Sequence, residues 1–468
     1  MLTLRPDLEM VWQVAEWLIR LGALAVIPLR RSPTAAASWL LLIFFFPEIG
    51  LPLYLLIGRP KFPKAREERW RLLRPYHADV AARLRQAAGC EPTDVQAFAT
   101  ELGRMPCATG NAIDLIDDYD RVFDRLVADI DAAEKQVDLL VYIFADDAVG
   151  QHVAAALHRA VGRGVRCRVM FDYLGSRPWR RGTLRMLRAT GAEVRTALPL
   201  RLIRRRSRAD MRNHRKLFVI DGKIGYAGSQ NIVAKDFRPG VVNRELVARV
   251  AGPTVASMAA VVAADWWIES REEAPPPPVA IPDAAGEAHA QLLPTSADYR
   301  MEGFETLLVW QLHRARDHVV LVTPYFVPDE GVIGAMRSAA ARGVRVDLVV
   351  SAVVDQRIVH LAQSSYFEEL LAAGVRVHRY RDYLLHAKNV CIDSTLGIVG
   401  SSNVDLRSFQ LNEEASLLLY DPATIAWLKQ IQAGYLAASD LVDLQSWRGR
   451  SWARRLPENI ARIMSALL

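Results

Sequence analysis

With 468 residues, of which 51% are hydrophobic, this chain is long enough to form two domains and additional segments. Its formal net charge of +7 favours an anionic partner, either a nucleic acid or an acidic lipid surface. The four cysteines are scattered without paired spacing, which excludes a disulfide framework and a zinc site.

The first sixty residues form an apolar segment that we predict to be a membrane anchor. Residues 35–58 are long enough to cross ~30 Å of hydrocarbon as a helix. Residues 10–29 predict a second span, in which Glu16 and Arg20 lie four positions apart and can pair on one helix face. The alternative for this stretch is an amphipathic helix lying in the membrane interface. We therefore expect residues 1–60 to form a membrane anchor of one or two transmembrane helices, and two helices would form a hairpin.

A basic juxtamembrane segment, residues 61–109, follows the anchor. Its cations cluster where the second apolar stretch ends, and they are Arg59, Lys61, Lys64, Arg66, Arg69, Arg71 and Arg74. Because cytoplasmic flanks carry such a positive bias, we expect the body of the protein to lie in the cytoplasm. The same cluster is expected to hold that body against anionic headgroups.

From about residue 110 onward, predicted strands alternate with predicted helices. The first half contains strand 137–144, helix 149–164, strand 165–172, helix 183–190 and a strand from residue 192. The second half repeats the order with strand 319–325, helix 331–342, strand 344–350, helix 364–373 and a strand from residue 375. This alternation predicts α/β domains with largely parallel sheets.

A proline-rich connector at residues 271–290 divides the two predicted domains, 110–270 and 291–468. The second domain ends in an amphipathic tail rich in tryptophan and arginine. This tail is expected either to pack against the second domain or to contact lipid at the interface.

One motif occurs twice in the chain, at a constant offset of 172 residues. The first copy contains His214, Lys216, Asp221, Ser229 and Asn231, and the second copy contains His386, Lys388, Asp393, Ser401 and Asn403. Only eight of the 59 basic residues are lysines, yet both copies keep one. The duplication therefore indicates a site that requires an ammonium group at both positions.

The spacing of each copy suggests its chemistry. Positions i and i+2 of a strand face the same side, so each imidazole and its ammonium point into one space. Two such pairs around one cavity suit a phosphodiester: one histidine attacks phosphorus, the other protonates the departing oxygen, and the lysines neutralise the phosphate oxygens. We interpret Asp221 and Asp393, which complete the motifs, as structural ties rather than proton carriers.

Further polar residues accompany both copies. The amides of Asn231 and Asn403 and the Gly-Ser turns at Ser229 and Ser401 can add hydrogen-bond donors for phosphate. Another matched pair, Glu245 and Glu414, follows the motifs, and each carboxylate can fix the tautomer of its imidazole.

These motifs resemble the signature of the phospholipase D superfamily. The N-terminal hairpin, the run from Arg212 to Gly222, the Thr323-Pro-Tyr-Phe-Val-Pro-Asp-Glu330 segment and the Gly400 to Ser408 segment are similar to bacterial cardiolipin synthases. The resemblance covers almost the whole chain. It implies two phospholipase D-like α/β domains in a pseudo-two-fold arrangement, preceded by a transmembrane hairpin.

The resemblance also implies a reaction. His214 attacks the phosphorus of one phosphatidylglycerol while His386 protonates the leaving glycerol, and a second phosphatidylglycerol then displaces the phosphatidyl-histidine to give cardiolipin. The residues alone permit the reverse assignment of the two histidines. No metal or organic cofactor is implied, because the lysines supply the positive charge. The expected location is the bacterial inner membrane with the catalytic domains facing the cytoplasm, and nucleic acid is not an expected partner.

Other functions would use the same residues. A hydrolytic phospholipase D, or an enzyme that transfers phosphatidyl groups to a different alcohol, is the main alternative. A membrane-tethered nuclease would also be basic, but it has no need of an apolar hairpin. The sequence does not indicate the oligomeric state.

Overall fold

The computed structural model describes residues 6–31, 33–58, 64–199, 210–270, 272–296, 299 and 302–465. The helices are α1 (Pro6–Val26), α2 (Pro33–Phe45), α3 (Pro47–Leu53), α4 (Lys64–Ala88), α5 (Asp94–Gly103), α6 (Tyr119–Asp131), α7 (Ala148–Gly162), α8 (Arg180–Ala189), α9 (Val255–Ile268), α10 (Gly303–Arg314), α11 (Glu330–Ala341), α12 (Arg357–Ala372), α13 (Leu406–Gln410), α14 (Pro422–Ala437), α15 (Leu444–Arg448) and α16 (Trp452–Ser465).

The strands include those that the sequence predicts and several that it does not. They are β1 (Ala108–Ile116), β2 (Gln136–Val141), β3 (Arg166–Asp172), β4 (Glu193–Ala197), β5 (Leu217–Ile220), β6 (Ile224–Gly228), β7 (Asn243–Arg244), β8 (Val247–Ala251), β9 (Ala288–Thr295), β10 (His318–Val322), β11 (Phe326–Val327), β12 (Arg345–Ser351), β13 (Arg376–Tyr380), β14 (Leu384–Leu385), β15 (Asn389–Ile392), β16 (Leu396–Gly400), β17 (Val404–Asp405), β18 (Glu414–Leu419) and β19 (Ser439–Leu441).

The N-terminal apolar segment folds differently from the expected hairpin of long helices. The stretch predicted as one span over residues 35–58 is divided: α2 ends at Phe45, α3 begins at Pro47, and a π-helical turn occupies Tyr54–Gly58. Proline lacks the backbone N–H that would continue the first helix, which explains the break. Within the residues that the structure describes, no helix is both long enough and apolar enough to cross a membrane. The predicted transmembrane hairpin is therefore not confirmed.

The basic segment after the anchor is largely helical. It forms α4 and α5, while Arg59 and Lys61 of the predicted cluster lie outside the described residues. Two of its arginines do not face outward as expected. Arg66 is buried, and Arg69 lies against Trp267 of α9 with its guanidinium carbon 3.8 Å from the ring centroid. These two cations therefore bind the protein itself.

One continuous sheet of fifteen strands runs through the described part of both halves. From its centre outward, one half reads β1-β8-β6-β5-β2-β3-β4 and the other reads β9-β18-β16-β15-β10-β12-β13, with β19 added at the edge. The halves join where β1 pairs antiparallel with β9. The matching order on either side of this junction is the pseudo-two-fold arrangement expected from the duplicated motif.

The sheet is mixed, so the expectation of largely parallel sheets is wrong. Strands β2, β3 and β4 are parallel to one another, as are β10, β12 and β13. The strands nearer the centre, including the β5–β6 and β15–β16 hairpins, pair antiparallel. Hairpins with short turns can pair only in this way, whereas parallel pairs need the helical crossovers that α7 and α11 supply.

The C-terminal tail packs against the second domain, which was the first of the two expectations. Helix α16 packs against α12, with Ala461 buried and Arg455 donating to Glu368 at 2.9 Å. Its other face exposes the apolar side chains Trp452, Leu456, Ile460 and Ile463. The tail is therefore anchored on the second half and still presents an apolar stripe to the outside.

Candidate active site

Both motif histidines line one cavity of about 310 Å³. Its walls come from the two halves of the chain and include Tyr142, Arg212, Asn231, Tyr325, Asn403 and Asn412. The imidazoles that the duplication predicts to converge thus lie in the same cavity, where each is nearly buried.

Each motif lies in an extended segment just before its strand rather than on the strand itself. His214 precedes β5, and its backbone N–H donates to the carbonyl of Glu413 at 2.9 Å. His386 precedes β15, and its N–H donates to the carbonyl of Arg244 at 2.8 Å. Each motif is therefore held by backbone hydrogen bonds from the opposite half.

The two glutamates are exchanged between the halves. Nδ1 of His214 lies 3.0 Å from both carboxylate oxygens of Glu414, and Nδ1 of His386 lies 2.7 Å from Oε1 of Glu245. The sequence predicts the carboxylate–imidazole contact, but it does not show that each pair crosses between the halves. With Nδ1–H donating to a carboxylate, the Nε2 lone pair of each ring is free to act in the cavity.

Burial determines the protonation of the imidazoles. It lowers the pKa of His214 and of His386 to about 4, although the glutamate beside each ring acts in the opposite direction. Burial alone would raise the pKa of Glu414, but the charge of His214 and its hydrogen bond lower it overall. Neutral imidazoles beside ionised carboxylates are the form required of a nucleophile or general base.

The two motif lysines are buried and do not belong to the residues that line the cavity. Nζ of Lys216 donates to the carbonyl of His214 at 2.7 Å, and Nζ of Lys388 donates to the carbonyl of His386 at 2.6 Å. Burial lowers the pKa of Lys216 to about 7 and that of Lys388 to about 8. Both ammonium groups also lower the pKa of His214, so the lysine of the second copy affects the histidine of the first.

The serines and asparagines separate into two groups. Asn231 and Asn403 line the cavity, as expected for phosphate contacts. The hydroxyl of Ser401 instead donates to Glu414 at 2.5 Å, and Ser229 exchanges hydrogen bonds with the backbone of Leu246. The hydroxyls expected to bind phosphate are thus engaged by a carboxylate, in the case of Ser401, and by the backbone of Leu246, in the case of Ser229.

The two motif aspartates lie in turns away from the cavity. Asp221 accepts hydrogen bonds from the backbone N–H groups of residues 134–136, and Asp393 accepts them from those of residues 316–318. Both residues have a φ of 53°. They tie each motif hairpin to the start of the neighbouring strand, which agrees with the structural role expected for them.

Comparison with known proteins identifies the family. A family model described as "Cardiolipin synthase, PLD-like domain" matches residues 126–267 and 308–433. The chain belongs to this cardiolipin synthase family. A second model, "Phospholipase_D-nuclease N-terminal", matches residues 18–59. Membership confirms the predicted family and, with it, the prediction of a phosphatidyltransferase.

Curated members of the cardiolipin synthase family match almost the whole chain. Cardiolipin synthase A of Serratia proteamaculans is 33% identical, over 97% of this chain and 97% of its own length. Cardiolipin synthase A of Cronobacter sakazakii is 32% identical, over 98% of this chain and 99% of its own length.

Solved structures support the fold of this cardiolipin synthase family member. Phosphatidylserine synthase of Haemophilus influenzae matches with a TM-score of 0.61 at 12% identity, covering 80% of this chain and 99% of its own. Polyphosphate kinase of Porphyromonas gingivalis matches with a TM-score of 0.50 at 16% identity, covering 78% of this chain and 54% of its own.

Several cavity residues were not predicted as site residues. The ring of Tyr142 lies edge-on to His214 with centroids 4.8 Å apart, and Tyr325 lies similarly at 6.2 Å from His386. Arg212, Arg238 and Arg407 also line the cavity. The tyrosines belong to matching strand ends, Val-Tyr-Ile-Phe and Pro-Tyr-Phe-Val, and that similarity could have revealed them. The arginines have no counterpart that the offset of 172 would detect.

Proposed function

We propose that this protein is a cardiolipin synthase that transfers a phosphatidyl group from one phosphatidylglycerol to another and releases glycerol. The observation that carries the proposal is the pair of carboxylate-bound imidazoles lining one cavity. Membership of the family supports the choice of lipid chemistry, since its curated relatives are named cardiolipin synthase A.

In this mechanism the neutral His214 attacks the phosphorus of the donor lipid. The bound anionic phosphate raises the pKa of His386, which is then protonated and gives its proton to the departing glycerol oxygen. The bond from phosphorus to glycerol breaks, and a phosphatidyl-histidine forms. His386, now neutral, removes the proton from the hydroxyl of the acceptor lipid, whose oxygen then displaces His214. One phosphodiester replaces another, so the driving force is small and water must be excluded from the intermediate.

The remaining site residues support these two histidines. Lys216 and Lys388 neutralise the charge that develops on the phosphate oxygens, and the amides of Asn231 and Asn403 add donors. Glu245 and Glu414 stabilise each imidazole as it becomes charged. Asp221 and Asp393 hold the motif hairpins.

The protein is held at the bacterial inner membrane with its catalytic halves on the cytoplasmic side. Exposed apolar side chains cover the N-terminal helices, and they include Trp12, Trp17, Leu18, Leu21, Phe45, Phe46 and Ile49. The C-terminal end of α16 lies beside α2, because the hydroxyl of Ser38 on α2 donates to the carbonyl of Ile463 at 3.1 Å. Apolar helix faces of this kind insert into the boundary between headgroups and acyl chains.

The test is incubation of the purified full chain with phosphatidylglycerol as the only lipid. We expect cardiolipin and glycerol in equal amounts. His214→Ala should retain lipid binding in a vesicle co-sedimentation assay and produce neither product. Phosphatidic acid as the main product would overturn the proposal in favour of a hydrolase. Cleavage of single-stranded DNA without lipid turnover would overturn it in favour of a nuclease.

A further inference from the structure

Arg66 connects the juxtamembrane helix α4 to residues beside the reacting histidine. It lies in the first turn of α4, shortly after the apolar hairpin, and is only 7% exposed. Its guanidinium donates to Glu269 at 2.6 Å and to Glu413 at 3.0 Å. Burial opposes the charge of Arg66, but these two carboxylates raise its pKa overall. A buried guanidinium held by two carboxylates fixes their relative positions.

Glu413 passes this constraint to the site along two short routes. Its side chain accepts a hydrogen bond from the amide of Asn213 at 2.7 Å, and its carbonyl accepts one from the N–H of His214 at 2.9 Å. Glu413 also directly precedes Glu414, the carboxylate that holds the His214 ring. The residue that Arg66 binds is therefore adjacent to both members of one imidazole–carboxylate pair.

The other imidazole–carboxylate pair has a different environment. His386 is flanked by Leu385 and Ala387, which are fully buried among apolar residues. The counterpart of Glu413 beside Glu245 is Arg244, which pairs with Asp117 at 2.7 Å. Within the described residues, the ion pairs that Arg66 of α4 makes with Glu269 and Glu413 therefore lie on the His214 side of the site.

We propose that Arg66 is a positioning residue through which the membrane-proximal helix α4 holds His214 and Glu414 in their reactive arrangement. The N-terminal apolar segment then does more than tether the enzyme, because the position of α4, which follows it, determines the geometry of one histidine. The inference rests on the proposed function, since it concerns the rate of the same transfer.

The test compares variants of the full chain in mixed micelles of detergent and phosphatidylglycerol. We expect Arg66→Met to lower kcat by on the order of tenfold to a hundredfold with little change in KM, because a small misplacement of a reacting group has effects of this size. Arg85→Met is the matched control, since Arg85 lies in the last turn of the same helix, is exposed and does not belong to the basic cluster that follows the apolar segment. It should retain the activity of the parent enzyme.

The pH profile separates positioning from simple loss of stability. Without Arg66, Glu413 and Glu269 leave excess negative charge near His214, which raises the pKa of that imidazole. The acidic limb of kcat/KM should therefore move to higher pH in Arg66→Met and return towards its original position in Arg66→Met/Glu413→Gln. Should Arg66→Met not fold, Arg66→Lys keeps the charge without the forked contact and should give a smaller loss of kcat.

Two results would overturn the inference. One is a lower melting temperature of Arg66→Met with an unchanged kcat and pH profile of the folded enzyme, which indicates a structural role alone. The other is failure of the Glu413→Gln substitution to restore the pH profile. If the parent enzyme itself makes no cardiolipin, the proposed function fails and not this inference.

Discussion

The two copies of the motif share their chemistry but not their surroundings. Around His214, the neighbours Asn213 and Arg215 enter a buried network of charges, and Arg215 lies 2.6 Å from Asp265. Around His386, the equivalent positions are Leu385 and Ala387, which pack in an apolar core. The two copies thus keep the same motif residues, while the residues beside them differ.

The two histidines are therefore held in place by different kinds of interaction. An apolar support fixes a histidine by packing, which has no charge requirement. Charged neighbours fix a histidine through buried ion pairs, and removal of one partner leaves an unpaired buried charge that destabilises the fold. The first copy is therefore more sensitive than the second to loss of a single charged partner.

The largest expected effect distinguishes the roles of the two histidines. His214→Ala should lower turnover of phosphatidylglycerol by at least about 10³-fold and abolish any covalent intermediate. His386→Ala should also stop turnover, but with a nitrophenyl phosphodiester, whose leaving group needs no proton, it should still release a burst of one equivalent. Rapid-quench kinetics measures the burst. A burst in His214→Ala and none in His386→Ala would reverse the assignment.

A second prediction tests the charged support directly. Arg215→Ala should reduce the free energy of unfolding by about 3–5 kcal/mol, because it leaves the Asp265 carboxylate buried without its main cation. Arg244→Ala is the matched control: its pair with Asp117 is partly exposed, with side-chain exposures of 36% and 38%, and should contribute less than about 1 kcal/mol. Denaturant titration in detergent measures both. Equal losses would contradict the proposed difference between the two surroundings.

The smallest expected effect is a difference in pH response between the copies. The transfer requires the ammonium forms, and burial lowers the pKa of Lys216 to about 7 and that of Lys388 to about 8. As the pH rises through these values each lysine loses its proton, so kcat/KM should fall from about pH 7 upwards. Lys216→Arg should move the start of this fall to higher pH, whereas Lys388→Arg should leave it in place. A flat profile between pH 7 and 9 would refute this prediction.

The sequence predicts both histidines that line the cavity and two of its asparagines, Asn231 and Asn403, because duplication marks them. A constant offset identifies His214, Lys216 and their counterparts, and the alternation of strands and helices predicts the outer part of each half. The offset cannot show which half supplies a partner, so the exchange of Glu245 and Glu414 was not foreseen. The sequence also does not show the antiparallel pairing near the centre, because the pattern of a short strand does not indicate which strand lies beside it.

The expected role of the juxtamembrane arginines is wrong for two of them. Arg66 and Arg69 lie in a basic cluster that predicts headgroup contacts, yet Arg66 is buried between two carboxylates. Those carboxylates lie about 200 and 350 positions away in the chain, so a local count of charges could not detect them. The helix break at Phe46 has a local cause instead: Pro47 lacks the backbone N–H that would continue α2, and hydropathy alone does not register this.

The exchanged glutamates have an evolutionary consequence. Since each ring is oriented by a carboxylate from the sibling repeat, natural selection cannot relax on either repeat without impairing the other. A single repeat expressed alone would have to form a dimer in which the glutamate of each copy binds the histidine of the other. Fusion of two such repeats into one polypeptide makes the exchange of glutamates permanent. Each repeat can then acquire different residues around the same reacting groups.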